Sequence, residues 1–115
     1  MSDIKELTNE IKKFCDQRNW KQFHDPKDLA LSLTLEASEV LEHFQWKSGD
    51  ELKKYIKENK KEIGEELSDV LYWVLLMSND LDIDIKKAFL DKMKKNAKKY
   101  PIKKAKNKKE KYNKL

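Results

Sequence analysis

The chain has 115 residues, formal net charge +5, 41% charged side chains, only 2 Gly and 2 Pro, and one cysteine. That length allows one domain with a modest core, and so few turn formers argue against a β fold built on many tight turns. A lone Cys15 rules out an internal disulfide framework, and no 18-residue apolar run or signal-peptide pattern is present, so a cytoplasmic protein without a membrane partner is expected.

Charge is unevenly spread. Residues 1–85 carry 12 basic and 19 acidic side chains, a net of −7, whereas residues 86–115 carry 14 lysines against Asp91 and Glu110, a net of +12. A basic end of this kind attracts polyanions or is simply solvated. No base-reading motif accompanies it, and the acidic first 85 residues oppose it, so nucleic acid is not expected as a partner.

In chain order, Ser2 is placed to cap a first helix in which Ile4, Leu7, Ile11 and Phe14 recur at helical spacing, up to about Arg18. Asn19 to Pro26, "NWKQFHDP", reads as an aromatic-rich loop. Asp25-Pro26 is a start signal: a side-chain acceptor for free N–H groups, then a proline whose missing N–H costs nothing at that position. The second helix runs to about Trp46 and is broken by "KSGDE". A short amphipathic piece with Leu52, Tyr55 and Ile56 follows, opened by Ser48 or Asp50. A third long helix spans roughly residues 59–79. Asp82 or Asp84 opens a fourth, with Ile85, Phe89, Met93 and Ala97 on one side, and Pro101 ends it. The fold class is all-α, four main helices plus a short one. Residues 1–102 are read as the functional domain and 103–115 as a lysine-rich, flexible tail.

The chemistry lies in two windows. With Glu36 at zero on a wheel of about 100° per residue, Leu29, Val40, Leu33, Phe44, Ala37, Ala30 and Leu41 fall between about 20° and 140°. Leu31 and Leu35 flank the other side, and between these arcs lie Trp46, Glu39, Ser32, His43 and Glu36. In the third helix, with Glu66 at zero, Met77, Val70, Ile63, Val74, Leu67 and Leu71 fill the same apolar arc, and Glu62, Asp69, Trp73 and Glu66 border it. The letters repeat as well: "EASEVL" against "ELSDVL". If the two windows face each other, four carboxylates meet beside the core with no Lys or Arg among them. Ionised carboxylates so placed are costly without a partner. An all-oxygen set suits Mg²⁺, or Mn²⁺, rather than zinc, and Mg²⁺ is commonly completed by substrate phosphates.

These residues resemble a known signature. Glu36-x-x-Glu39, then 26 intervening residues, then Glu66-x-x-Asp69 is similar to the MazG-like nucleoside triphosphate pyrophosphohydrolases of the all-α NTP pyrophosphatase superfamily, and to its dCTP pyrophosphatase branch in particular. "WxQFH" (Trp20–His24), "ExxExxExFQW" (Glu36–Trp46), "EELSDVL" (Glu65–Leu71) and "KMxxNxxxYP" (Lys92–Pro101) occur in that order, over about residues 3–101. The resemblance implies Mg²⁺-dependent hydrolysis of (d)NTPs, dCTP or modified pyrimidine dNTPs included, between the α and β phosphates to NMP and pyrophosphate. It implies Glu36, Glu39, Glu66 and Asp69 as metal ligands and catalytic groups, and a homo-dimer or homo-tetramer. It also implies a base pocket from Trp20, Phe23, His24 and Trp46, with Lys92, Asn96 and Lys99 toward the phosphates. Trp73, in the Glu66 window, is a further substrate-binding candidate. Those dCTP-like members carry a histidine where this chain has Ile11, and commonly a tyrosine at Trp73. His43 lies near the carboxylate window but matches no ligand. The alternative reading is a non-catalytic, oligomeric nucleotide-binding module with a structural metal site.

Overall fold

The computed structural model describes residues 3–114; Ser2 and its expected cap lie outside them. Every regular element among these residues is helical: α1 (Asp3–Gln17), α2 (Pro26–Phe44), α3 (Gly49–Glu58), α4 (Lys60–Asp80), α5 (Ile85–Lys99) and α6 (Ile102–Ala105), with short 3-10 turns at Lys21–Phe23 and Tyr112–Lys114. None of these helices is long and apolar enough to cross a membrane.

Two compact units divide the chain, Met1–Asp82 and Ile83–Leu115. In the first, α4 is the central helix, and α1, α2 and α3 all pack against it, α2 most extensively. Cys15, Leu29 and Leu76 form a buried cluster, with Ile11, Tyr72, Trp73 and Met77 packed around it. Leu75 is buried as well. Burying one leucine contributes roughly 1.5–3 kcal/mol, so a core this small leaves the unit modestly stabilised. Many leucines of the apolar arcs stay exposed: Leu31, Leu35, Leu41, Leu67 and Leu71. The arcs on α2 and α4 are wider than one chain can cover.

The helix boundaries follow local chemistry. The Asp25 side chain accepts from the Lys27 N–H at 2.8 Å, and Pro26 occupies the first turn of α2. Left-handed backbone at Trp46 (φ 67°) and Gly49 (φ 56°) turns the chain between α2 and α3; glycine takes that conformation freely, and tryptophan does so at a cost. In the second unit Asp84 caps α5 by accepting from the Lys87 N–H at 3.1 Å. Pro101 follows, and beyond it Tyr112 meets Tyr100 edge-on at 6.3 Å while Lys99 Nζ lies 4.9 Å from the Tyr112 ring centroid.

Gly64 is a helical residue of α4 with nothing within 4 Å of where a Cβ would stand. Glycine inside a helix costs about 0.5–1 kcal/mol relative to alanine. Gly64→Ala should therefore raise the unfolding free energy by about that amount, seen as a higher urea midpoint at unchanged slope.

Candidate active site

Where α2 packs on α4, Glu36, Glu39 and Glu66 each bring a carboxylate oxygen within 4.8 Å of the others. Glu36 and Glu66 are half-buried and Glu39 is exposed. The apolar flanks force this: packing α2 on α4 through their leucine and valine arcs carries the bordering carboxylates into one place. Two buried oxygens, Glu36 Oε2 and Glu66 Oε2, have no hydrogen-bond partner.

The electrostatics record the crowding. Burial, contact with the Glu39 carboxyl, and the charges of Glu39, Asp69 and Glu66 push Glu36 above its ordinary pKa of 4.5. Glu66 is pushed the same way, first by its contact with Glu39, then by burial and by Glu39 and Asp69, with His43 pulling against them. Asp69 thus acts on both half-buried carboxyls, although its oxygens are not part of the tight trio. His43 is held at this edge by a 2.6 Å hydrogen bond between Nδ1 and the Tyr55 hydroxyl of α3.

Such an arrangement fits a hard cation. The donors are all oxygen, three are close enough to share one ion, and two point unpaired lone pairs into a buried space. Breaking the set by removing the countercharge leaves buried like charges, which is costly.

Beside the trio opens a cleft of about 710 Å³, whose lining includes Glu36, Asp69, Tyr72 and Trp73 from α2 and α4, Ile11 and Phe14 from α1, and Arg18 and Trp20 beyond it. That volume lies in the range of small-molecule sites. A smaller cleft of about 200 Å³ shares Trp20 and Trp73 with it and adds Phe23, His24 and Ser32. Trp20 and Trp73 therefore stand in the wall between the two. Tyr72 is fixed by a 3.3 Å hydrogen bond with Cys15 Sγ, and burial, reinforced by that contact, raises its phenol pKa far enough to keep it neutral.

The remaining sequence candidates sit elsewhere. His24 Nδ1 lies 3.1 Å from Asp80 Oδ2, close enough for an ion pair but off line for a hydrogen bond. Phe23 is 69% exposed at the rim of the smaller cleft. Trp46 is 91% exposed and lines neither cleft. Lys92, Asn96 and Lys99 belong to α5 in the second unit; there Asn96 Nδ2 donates to Met93 Sδ at 3.8 Å. Sequence reading missed the α1 contribution to the cleft. The signal was present, since Ile11, Phe14 and Arg18 fall on one helical face, but that spacing reads equally well as core.

Residues 31–115 match the MazG-like family. The dCTP pyrophosphatase 1 of Rattus norvegicus is 36% identical over 104 residues, covering 89% of this chain and 59% of the rat protein. The Homo sapiens protein of the same name is 35% identical, covering 100% of this chain and 67% of its own length. The chain thus spans about three fifths of the rat relative's length. Among solved structures, a pyrophosphatase from Archaeoglobus fulgidus superposes with a TM-score of 0.82 at 38% identity, over 88% of this chain and 94% of that one.

The raised carboxyls have a measurable consequence without any cation bound. Below about pH 4.5 they are protonated in both folded and unfolded chains and cost nothing. As pH rises through that value the unfolded chain loses its protons first, so stability falls until the folded carboxyls ionise as well. The melting temperature in EDTA should therefore decline from pH 4.5 toward neutrality. Glu36→Gln should flatten the decline, melting higher than the parent at neutral pH. Mg²⁺ should raise the parent's melting temperature at neutral pH and leave it unchanged in acid.

Proposed function

The chain belongs to the MazG-like family, and on that premise we propose that it is a Mg²⁺-dependent (d)NTP pyrophosphohydrolase, cleaving between the α and β phosphates to release NMP and pyrophosphate. The observation that carries this reading is the pair of unpartnered, buried Glu36 and Glu66 oxygens, with Glu36 itself lining a cleft large enough for a nucleotide. The names of the relatives, dCTP pyrophosphatase 1 and pyrophosphatase, support it.

Glu36, Glu39, Glu66 and Asp69 would hold the cation, with Mn²⁺ the other hard ion suited to them. Bound there, it would neutralise phosphate charge and lower the pKa of an attacking water. A carboxylate of this set not fully engaged by the cation would take the proton of that water. Trp20 and Trp73 offer aromatic faces to the base; stacking of this kind is worth roughly 1–3 kcal/mol in single-strand recognition. Tyr72, neutral and tethered to Cys15, keeps the wall between them rigid. We assign the activity to residues 1–102, with Phe23 and His24 bounding the smaller cleft; Lys92, Asn96 and Lys99 are substrate-binding candidates on the family resemblance alone.

A homo-oligomer, dimer or tetramer, belongs to the same reading. The exposed leucines of α2 and α4 form a face that a second copy of the chain would cover. Light scattering at micromolar concentration should give a mass at least twice that of the 13.8 kDa chain; a monomer would remove this part of the proposal.

With purified protein, a dNTP and Mg²⁺, pyrophosphate should accumulate, and EDTA should abolish it. Glu36→Gln and Asp69→Asn should each lower kcat/KM by about 100-fold or more, given that even residues supporting a metal ligand are worth about 10–100-fold. Nucleotide binding by calorimetry with no pyrophosphate over hours would instead indicate a binding module with a structural metal.

A further inference from the structure

Among 26 Lys and Arg residues the chain has a single arginine, Arg18, and it lines the main cleft. Lysine would serve as a bare charge; arginine differs in offering a flat plate and a rigid fork of donors. Here the plate is anchored. Arg18 Cζ lies 3.8 Å from the Phe14 ring centroid and 5.9 Å from that of Trp20. Its Nη1 donates to the Phe14 carbonyl at 3.0 Å. One of five donors is thus used for positioning, and four remain.

Tyr72 follows Asp69 by three residues on α4, about 4.5 Å along the helix axis. The Arg18 charge reaches the Tyr72 phenol, on which it acts electrostatically. A nucleotide with its polyphosphate at Glu36 and Asp69 would carry its sugar past Tyr72 and its base to the aromatic wall, where Arg18 stands.

We infer that Arg18 reads the base. The inference rests on the pyrophosphohydrolase reading above and adds to it a specificity-determining residue. A fork of donors requires two adjacent acceptors. Cytosine offers O2 and N3, and guanine offers O6 and N7. Thymine places an N3–H between its two carbonyls, and adenine sets an amino group beside each of N1 and N7, so neither satisfies the fork. Of the other residues lining this cleft, Ile11 and Phe14 have no side-chain donor, the Tyr72 hydroxyl is engaged with Cys15, and Lys13, Gln17, Trp20 and Trp73 carry donors but no rigid fork. The substrate class is therefore nucleotides whose base carries paired acceptors, cytosine and guanine, taken in preference to thymine and adenine.

The test compares the full-length protein with Arg18→Lys, which keeps the charge and loses the fork, using dCTP, dGTP, dTTP and dATP with Mg²⁺. The parent should favour dCTP and dGTP by about tenfold or more in kcat/KM, the size of a good bidentate base contact. Arg18→Lys should lose that preference, falling for dCTP and dGTP and changing by less than about threefold for dTTP and dATP. A uniform fall across all four, a uniform retention, or a parent without preference would overturn the inference; the first would mark a phosphate or structural role. Calorimetry with dCMP, dGMP, dTMP and dAMP in EDTA gives the same comparison without turnover. If no dNTP is hydrolysed, the activity is refuted, while a paired-acceptor preference in binding that Arg18→Lys abolishes would still uphold the Arg18 contact.

Discussion

Mutual repulsion between carboxylates, held in check by the packing of α2 on α4, is the constraint on which the first unit turns. Glu36, Glu39 and Glu66 would separate if the helices were free to do so. Leucine and valine arcs on both helices keep them together, and burial then raises the cost of every charge. The packing creates an electrostatic deficit that a bound cation would offset on the proposed reading. On that reading stability and chemistry are opposed: the same residues that would make the molecule firmer if neutralised are those the proposed chemistry needs charged.

The position of the cleft follows from this. α4 is shared by all its neighbours, so its Glu66–Asp69 turn faces α2 while the next turn, Tyr72 and Trp73, faces α1. Acidic and aromatic surfaces are consecutive on one rigid rod, separated by a single helical turn. Nothing needs to close for the two kinds of surface to be adjacent. The Cys15–Tyr72 hydrogen bond ties α1 to α4 at that junction.

Much of this was legible before any coordinates. Asp25-Pro26 announces α2 because capping is a local event, settled by a side chain and the N–H two residues away. The repeated "EASEVL" and "ELSDVL" reveal the carboxylate windows because helical periodicity fixes which residues share a face. What the spacing could not reveal is convergence. Glu39 and Asp69 occupy equivalent wheel positions in their windows and both are exposed, yet Glu39 joins the trio and Asp69 does not. Nor could it distinguish core from cleft on α1, since Cys15 is fully buried while its neighbour Phe14 lies open at the pocket wall. Trp46 shares the carboxylate window on a helical wheel, but the helix stops at Phe44 and a left-handed residue turns the indole away. Local periodicity fails wherever the chain leaves the helix before the pattern does.

The three tryptophans are distributed so that the molecule carries its own optical gauge. Trp20 and Trp73 share the wall between the two clefts, and Trp46 stands almost wholly in solvent. Emission from the indole outside is therefore the most red-shifted of the three, that of the half-buried Trp73 the least, with Trp20 at 41% exposure between them. Quenchers such as iodide would silence the outer indole first and Trp73 last.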